Sequence, residues 1–305
     1  NYGVTMVPFY IYYSMFGFQR IGDLAWAAGD MRAKGFMVGA TAGRTTLAGE
    51  GLQHQDGQSH LLALPSPNLE AYDPAFAYEL ATVVREGMRR MYEEQEDVFY
   101  YLTVENENLP QPAAPEHLSR EELTDGILRG LYRFRPSERR FKARAQLLGS
   151  GAIMGEVLKA QEILEDYKVA ADVWSVTSYK ALHRDAVRVA RRNRLRDDGE
   201  AEVPYVRRAL EGAEGPRIAA SDYVKALPDM LAPYLDRPLV SLGTDGYGRS
   251  EAREELRDFF EVDARHIAHA AIRALVDDGA LGADVLAQAA DDLGIDPAKP
   301  DPLTS

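Results

Sequence analysis

Short apolar runs alternate along this chain with longer segments of helical periodicity, and few architectures accommodate that alternation. Residues 36–41, led by Phe36, Met37 and Val38, and residues 98–104, led by Val98, Phe99 and Tyr100, have the length and composition of strands. Between them lie a polar, glycine-rich loop at 42–60 and a turn-rich stretch at 65–68. Phe76, Leu80, Val83, Val84 and Met91 then recur at helical spacing. Residues 8–34 read as helix, because Pro8 suits a first turn, where its missing N–H costs nothing, and Gly35 ends the stretch. Pro110, Pro112 and Pro115 mark a linker by composition. The alternation resumes at 146–148 (strand), 153–166 (helix, apolar at Val157, Ala160, Ile163 and Leu164), 172–177 (strand) and 182–194 (basic helix). Strands follow at 217–220 and 239–242, with a helix between them, and an alanine-rich helical end covers 264–293. Such a chain is expected to fold as α/β layers on mostly parallel sheets with right-handed crossovers. Its domains would be 1–114 and 115–305, with 115–145 as linker.

Length and charge narrow the partners. The 305 residues, 46% of them apolar, suffice for two domains with their own cores. A net charge of −13 disfavours nucleic acid and anionic membranes, which would repel the chain. The absence of cysteine removes disulfides and thiolate metal sites. No apolar run reaches the roughly 18 residues of a membrane span, so the expectation is a cytoplasmic protein with neither membrane nor nucleic-acid partner. The chain opens on Asn1 and runs directly into Val4-Thr5-Met6-Val7, which suggests that residue 1 lies inside a longer protein.

Chemistry concentrates in the loop from Gly43 to His60. Two histidines, two acids, an arginine and four glycines fall within these 18 residues, just after an apolar strand, where open α/β sheets place ligands. Histidine exchanges protons near neutral pH, and a neighbouring acid can orient it. A solvated surface loop is the alternative. A second cluster is aromatic: on a helix, Tyr13, Phe16 and Arg20 share a face that could stack a flat heteroaromatic ring. Plain core packing is the alternative there. Gly149-Ser150-Gly151-Ala152-Ile153-Met154-Gly155 superficially suggests a dinucleotide loop, but close helix–strand packing explains its glycines. The basic run from Arg184 to Arg196 reads as an exposed helix paired with acids. No histidine–acid spacing matches a zinc site.

Several stretches carry a resemblance when taken in order. They are Val7-Pro8-Phe9-Tyr10-Ile11-Tyr12-Tyr13-Ser14-Met15-Phe16, Gly43-Arg44-Thr45-Thr46-Leu47 and Gly49-Glu50-Gly51-Leu52-Gln53-His54 with Asp56-Gly57. Tyr72-Asp73-Pro74-Ala75-Phe76, Leu147-Leu148-Gly149-Ser150-Gly151, Asp172-Val173-Trp174-Ser175 and Gly243-Thr244-Asp245-Gly246-Tyr247-Gly248-Arg249-Ser250 follow. Together they resemble the C-terminal portion of the homodimeric pyruvate dehydrogenase E1 family, which is related in fold to transketolase. The resemblance implies the latter part of a pyrimidine-binding domain, then a transketolase C-terminal-like domain. It implies thiamin diphosphate with Mg2+, oxidative decarboxylation of pyruvate, and reductive acetylation of the lipoyl group of an E2 dihydrolipoyl acetyltransferase within a multienzyme complex.

By that resemblance Phe16 packs against the aminopyrimidine ring and Tyr13 sits near the reacting carbon. His54 faces the substrate-derived intermediate, His60 matches a substrate-side histidine of the wider transketolase group, and Glu50 lies in the same loop with an open role. Where the family often has histidine, this chain has Gln58. The Gly-Asp-Gly stretch that holds magnesium and diphosphate, and the cofactor-activating glutamate, are not among these 305 residues. No metal ligand is therefore expected here, and the chain alone is expected to be inactive. Another thiamin-dependent enzyme of transketolase fold is the second reading. A non-catalytic dimerisation or interaction module, for residues 115–305, is the third.

Overall fold

The computed structural model describes residues 3–196, 199 and 201–305. The first sheet holds β1 (Phe9–Tyr13), β2 (Phe36–Ala40), β3 (Leu69–Tyr72) and β4 (Phe99–Thr103), all parallel, in the order β1-β2-β4-β3. Its helices are α1 (Ser14–Asp30), α2 (Ser59–Ala63) and α3 (Ala77–Met88). After α4 (Arg120–Arg129), the second sheet holds β5 (Tyr132–Arg135), β6 (Ala143–Gly149), β7 (Val169–Ser175), β8 (Arg217–Ala220) and β9 (Leu239–Leu242). Their order is β5-β7-β6-β8-β9, and of these five only β5 is antiparallel to its neighbour. The α/β class with mostly parallel sheets is therefore observed.

Burial explains why the central strands read as continuous apolar runs. β4 and β7 are buried along their whole length, as parallel strands covered on both faces must be. One face of the second sheet packs Leu147, Ala171 and Val173 against α5 (Met154–Asp166) and α10 (Ala264–Asp277). The same core continues into Tyr72, Tyr100 and Leu102 of the first sheet. On the other face, Leu148, Trp174 and Val176 meet α6 (Tyr179–Leu195) through Leu182 and α7 (Tyr205–Ala209) through Val206.

The two sheets face each other by their carboxyl ends. Just past β3, Asp73 N donates to Thr177 O, two residues past β7, at 2.8 Å, and Asp73 O accepts from Gly151 N, two residues past β6, at 3.3 Å. Among the described residues no helix is long and apolar enough to cross a membrane.

Several expectations need correction. Residues 8–34 are not one helix: Phe9-Tyr10-Ile11-Tyr12-Tyr13 forms β1, paired in register with Phe36 to Ala40. Five aromatic and β-branched residues beside an available edge outweigh a proline that could have opened a helix. The 115–145 segment is not merely a linker, since it contains α4 and β5. β3 escaped notice because four residues are too few for a periodicity to register. The helix expected between β8 and β9 is present as α8 (Ala226–Asp229), followed by a single further turn at Ala232–Tyr234. The alanine-rich end, beyond α9 (Arg253–Phe259), is two helices, α10 and α11 (Ala283–Leu293). They are separated by Gly279 at φ +72°, a conformation that ends a helix.

Candidate functional site

Three aromatic rings meet at the carboxyl end of the first sheet. Tyr13 is the last residue of β1 and immediately precedes α1, so its ring sits at the strand-to-helix turn. Phe16 lies in the first turn of α1, and the two ring centroids are 5.9 Å apart. His54 arrives from the loop after β2, 5.8 Å from Tyr13 and 5.1 Å from Phe16, edge-on to the latter. The shared helix face expected for Tyr13 and Phe16 is thus replaced by a strand–helix corner, which still brings the rings together. Arg20 does lie on the helix with Phe16, its guanidinium 4.1 Å from the ring centroid.

The loop residues place the acid as well. Glu50 Oε2 lies 3.3 Å from His54 Nδ1, within ion-pair range but off the line of a hydrogen bond. Both side chains are partly exposed, and Tyr13 is 42% exposed, so the corner is open rather than enclosed. A half-buried imidazole beside a carboxylate can hold or move a proton, while the rings offer a flat apolar wall.

His60 has a different setting. It lies in α2, buried, with its ring edge-on to Tyr223 at 4.9 Å and 5.4 Å from that of Tyr101. Its Nε2 is 3.0 Å from Thr103 Oγ1, and Thr103 in turn donates to Asp73 Oδ1 at 2.6 Å. Burial pushes the imidazole down to about 4, against the pull of Asp56, so at neutral pH it is uncharged. Tyr13, Phe16, His54 and Glu50 form one group; the contacts of His60 are with the buried network beneath the loop.

One residue of interest was not singled out from the sequence. Asp56 is fully buried; its Oδ1 accepts from Gln58 N at 3.0 Å and Ser59 N at 2.9 Å, opening α2. Its Oδ2 meets no protein donor. A buried carboxylate oxygen without a protein partner is costly unless water or a ligand meets it. The only available signal was an acid lying between two histidines. Gln58 accepts from Arg44 Nη2 at 3.0 Å, a structural contact that fits the absence of a titrating group there.

Other expected features fall elsewhere. A Cβ at Gly149 would press on Val157 and Met154, which is the close helix–strand packing inferred for that glycine-rich turn. Arg184 pairs with Glu70, and Arg192 and Arg196 with Glu202. Among the described residues, one cluster has metal-binding spacing: Asp258, Asp263 and His266. Arg265 and Lys299 already neutralise its acids. A hollow of about 670 Å3 is lined by Trp174, Arg133 and Arg144 of the second sheet and by none of the ring-corner residues.

Comparison with known proteins places the chain by similarity. The pyruvate dehydrogenase E1 component middle domain matches residues 1–112, and the transketolase-like C-terminal domain matches residues 130–263. The pyruvate dehydrogenase E1 component of Cupriavidus necator is 50% identical over 306 aligned positions, covering 100% of this chain and 34% of that protein. The chain thus spans about a third of the length of the curated relatives it matches. Among solved structures, transketolase from Campylobacter jejuni superposes with a TM-score of 0.66 at 17% identity, over 88% of this chain and 36% of that one. A split-gene transketolase, described as an inactive beta4 tetramer, gives 0.61 at 16% identity, over 88% of this chain and 77% of that one. With both domain models matched in order, and half of its residues shared with a relative along its whole length, the chain belongs to the pyruvate dehydrogenase E1 component family.

Proposed function

We propose that this chain supplies one wall of the active site of a pyruvate dehydrogenase (acetyl-transferring), in which pyruvate is decarboxylated and its acetyl unit passed to the lipoyl group of an E2 partner. The observation that carries the reading is the corner of Tyr13, Phe16 and His54, with Glu50 3.3 Å from the imidazole.

The residues fit one end of thiamin diphosphate. Phe16 and Tyr13 offer a flat apolar wall for its aminopyrimidine ring once the exposed Arg20 swings from the face of Phe16. Among the described residues no carboxylate cluster free of basic partners is available for Mg2+ and the diphosphate. The ligands of Mg2+ and the diphosphate are proposed to lie outside these 305 residues. When bound, the cofactor supplies the electron sink for decarboxylation. His54 would hold or move a proton at its imidazole beside the Glu50 carboxylate, and the Tyr13 phenol would lie near the substrate's reacting carbon. His60 is proposed as an uncharged hydrogen-bonding group held on Thr103 from below. The full protein works as a cytoplasmic homodimer, with neither membrane nor nucleic acid among its partners. The domains are proposed as residues 1–114 and 115–305.

The test uses the full-length protein. His54→Ala should lower pyruvate-dependent acetyl transfer by roughly 10²-fold or more, the scale of a lost proton-transfer group. Acetyl transfer within twofold of wild type would defeat the assignment. Residues 1–305 alone should show no turnover, since they lack the magnesium and diphosphate ligands. Turnover of ketose phosphates or longer 2-oxo acids in preference to pyruvate would favour the second reading, a different thiamin-dependent enzyme.

A further inference from the structure

The second domain contributes no residue to the ring corner, yet its loops hold the loop that carries His54. Between β8 and α8, three consecutive residues reach the first domain. Asp222 Oδ1 accepts from Thr45 N at 2.9 Å, its Oδ2 from Thr46 Oγ1 at 3.2 Å, and its carbonyl from Arg44 N at 3.3 Å. Tyr223 donates to Asp73 Oδ1 at 3.2 Å and receives the edge of His60. Val224 N donates to Gly57 O at 2.9 Å.

The far side of the loop is held in the same way. Gln55 is fully buried; its Nε2 donates to Arg249 O at 2.8 Å, and its Oε1 accepts from Arg249 N at 2.7 Å. Gly49 N donates to Glu251 O at 3.0 Å, and Arg253 Nε to Thr46 O at 2.8 Å. Arg44 Nη1 donates to the carbonyls of Thr244 and Gly246. His54 lies between these two grips.

We infer that the C-terminal domain is the positioning frame of the candidate site, and that Asp222 is its principal positioning residue, holding the 43–58 loop so that His54 meets Tyr13 and Phe16. The conformation of Gly43 belongs to the same arrangement. It sits at φ +87°, and a Cβ there would run into the Asp222 carboxylate and Thr46. The inference rests on the reading of His54 given above, and its test separates the two.

Ionised, Asp222 offers Thr45 N a charged acceptor; protonated, it offers a neutral and weaker one, and the single hydroxyl proton of Thr46 is shared between Asp222 Oδ2 and Ala42 O. Arg257 and Arg44 face it as cations, and Glu105 as a further acid. Burial pushes the carboxyl up to about 6, opposed by Arg257 and by the Thr45 and Thr46 donors. The grip is therefore present at neutral pH and weakens as pH falls through 6.

The experiment compares Asp222→Ala, Asp222→Asn and His54→Ala in the full-length enzyme, with hydrogen exchange at the Thr45 amide followed beside kinetics. Asp222→Ala should lower kcat roughly tenfold to 10²-fold, the scale of a misplaced group, and speed exchange at Thr45. Asp222→Asn keeps an acceptor for Thr45 N, so it should recover most of kcat at pH 7 and lose the acidic limb near pH 6. If Asp222→Ala cannot be purified folded, Asp222→Asn carries the test through that limb. Unchanged Thr45 exchange with kcat within twofold in Asp222→Ala, or an acidic limb intact in Asp222→Asn, would overturn the inference. Loss of Thr45 protection with His54→Ala fully active would instead leave the frame standing and remove the site reading.

Discussion

At the residue scale, His60 shows how a network selects a protonation state. Thr103 Oγ1 lies 2.6 Å from Asp73 Oδ1 and 3.0 Å from His60 Nε2, so the hydroxyl links the buried imidazole to the buried carboxyl. The fold depresses this histidine from its ordinary 6.5 to about 4 by burial. A depressed folded-state value means a contribution to stability that is full above about 6.5 and is lost as pH falls through 4. His60→Phe keeps ring packing on Tyr101 and Tyr223 but cannot titrate. Its melting temperature should start lower at pH 7 and fall less between pH 7 and 4 than that of wild type. Equal falls would show that another group titrates. The sequence displayed His54 and His60 alike, six positions apart; nothing local told them apart, because burial under Tyr101 and Tyr223 arises from residues far along the chain.

At the scale of elements, legibility followed length and period. β4 stood out because both faces of a buried parallel strand are apolar, and β2, partly buried beside it, carries the same apolar composition. α4 was hidden by the prolines before it, although its signature was present. Ser119 Oγ accepts from Glu122 N at 3.1 Å while Glu122 Oε2 accepts from Ser119 N at 2.8 Å, the reciprocal box of a helix start. Gly130 ends the helix at φ +101°. Ser119→Ala should cost about 1 kcal/mol, read as a shift of the urea midpoint without a change in slope. Gly130→Ala should cost more, because a Cβ there meets Ser178 O in a backbone conformation side chains rarely adopt. A Gly130→Ala protein as stable as wild type would mean that the helix end relaxes freely. β1 misled for a related reason: Phe9-Tyr10-Ile11-Tyr12-Tyr13 has strand composition, but the aromatic spacing into α1 also suited a helix, and only the free edge of β2 decides between them.

At the scale of the whole molecule, buried polar ties join the two sheets. Glu79 of α3 accepts from Ala75 N at 2.6 Å and Phe76 N at 3.0 Å. It also accepts, at 2.6 Å each, from the hydroxyls of Tyr132 and Ser175 on the second sheet. Glu79→Ala strands Ser175 and two backbone donors, while Tyr78 at 2.6 Å still partners Tyr132. Several stranded donors at roughly 1–3 kcal/mol each predict a loss of at least about 3 kcal/mol in chemical denaturation; a loss under 1 kcal/mol would show that water replaces the tie. Lys180 makes a second tie, donating to Ala63 O at 2.6 Å and Ser66 O at 2.7 Å. By itself the sequence determined the α/β class, the central strands, and the loop and aromatic cluster in which the candidate chemistry lies. Those follow from local composition and period, which act over a few residues. Only the tertiary structure decided that Tyr13 ends a strand, that His60 is sealed and uncharged, that Asp56 holds an unpartnered oxygen, and that Asp222 grips the loop of His54. Each depends on groups far apart in sequence, Asp222 and Thr45 by 177 positions, whose meeting is set by packing and burial rather than by any local pattern.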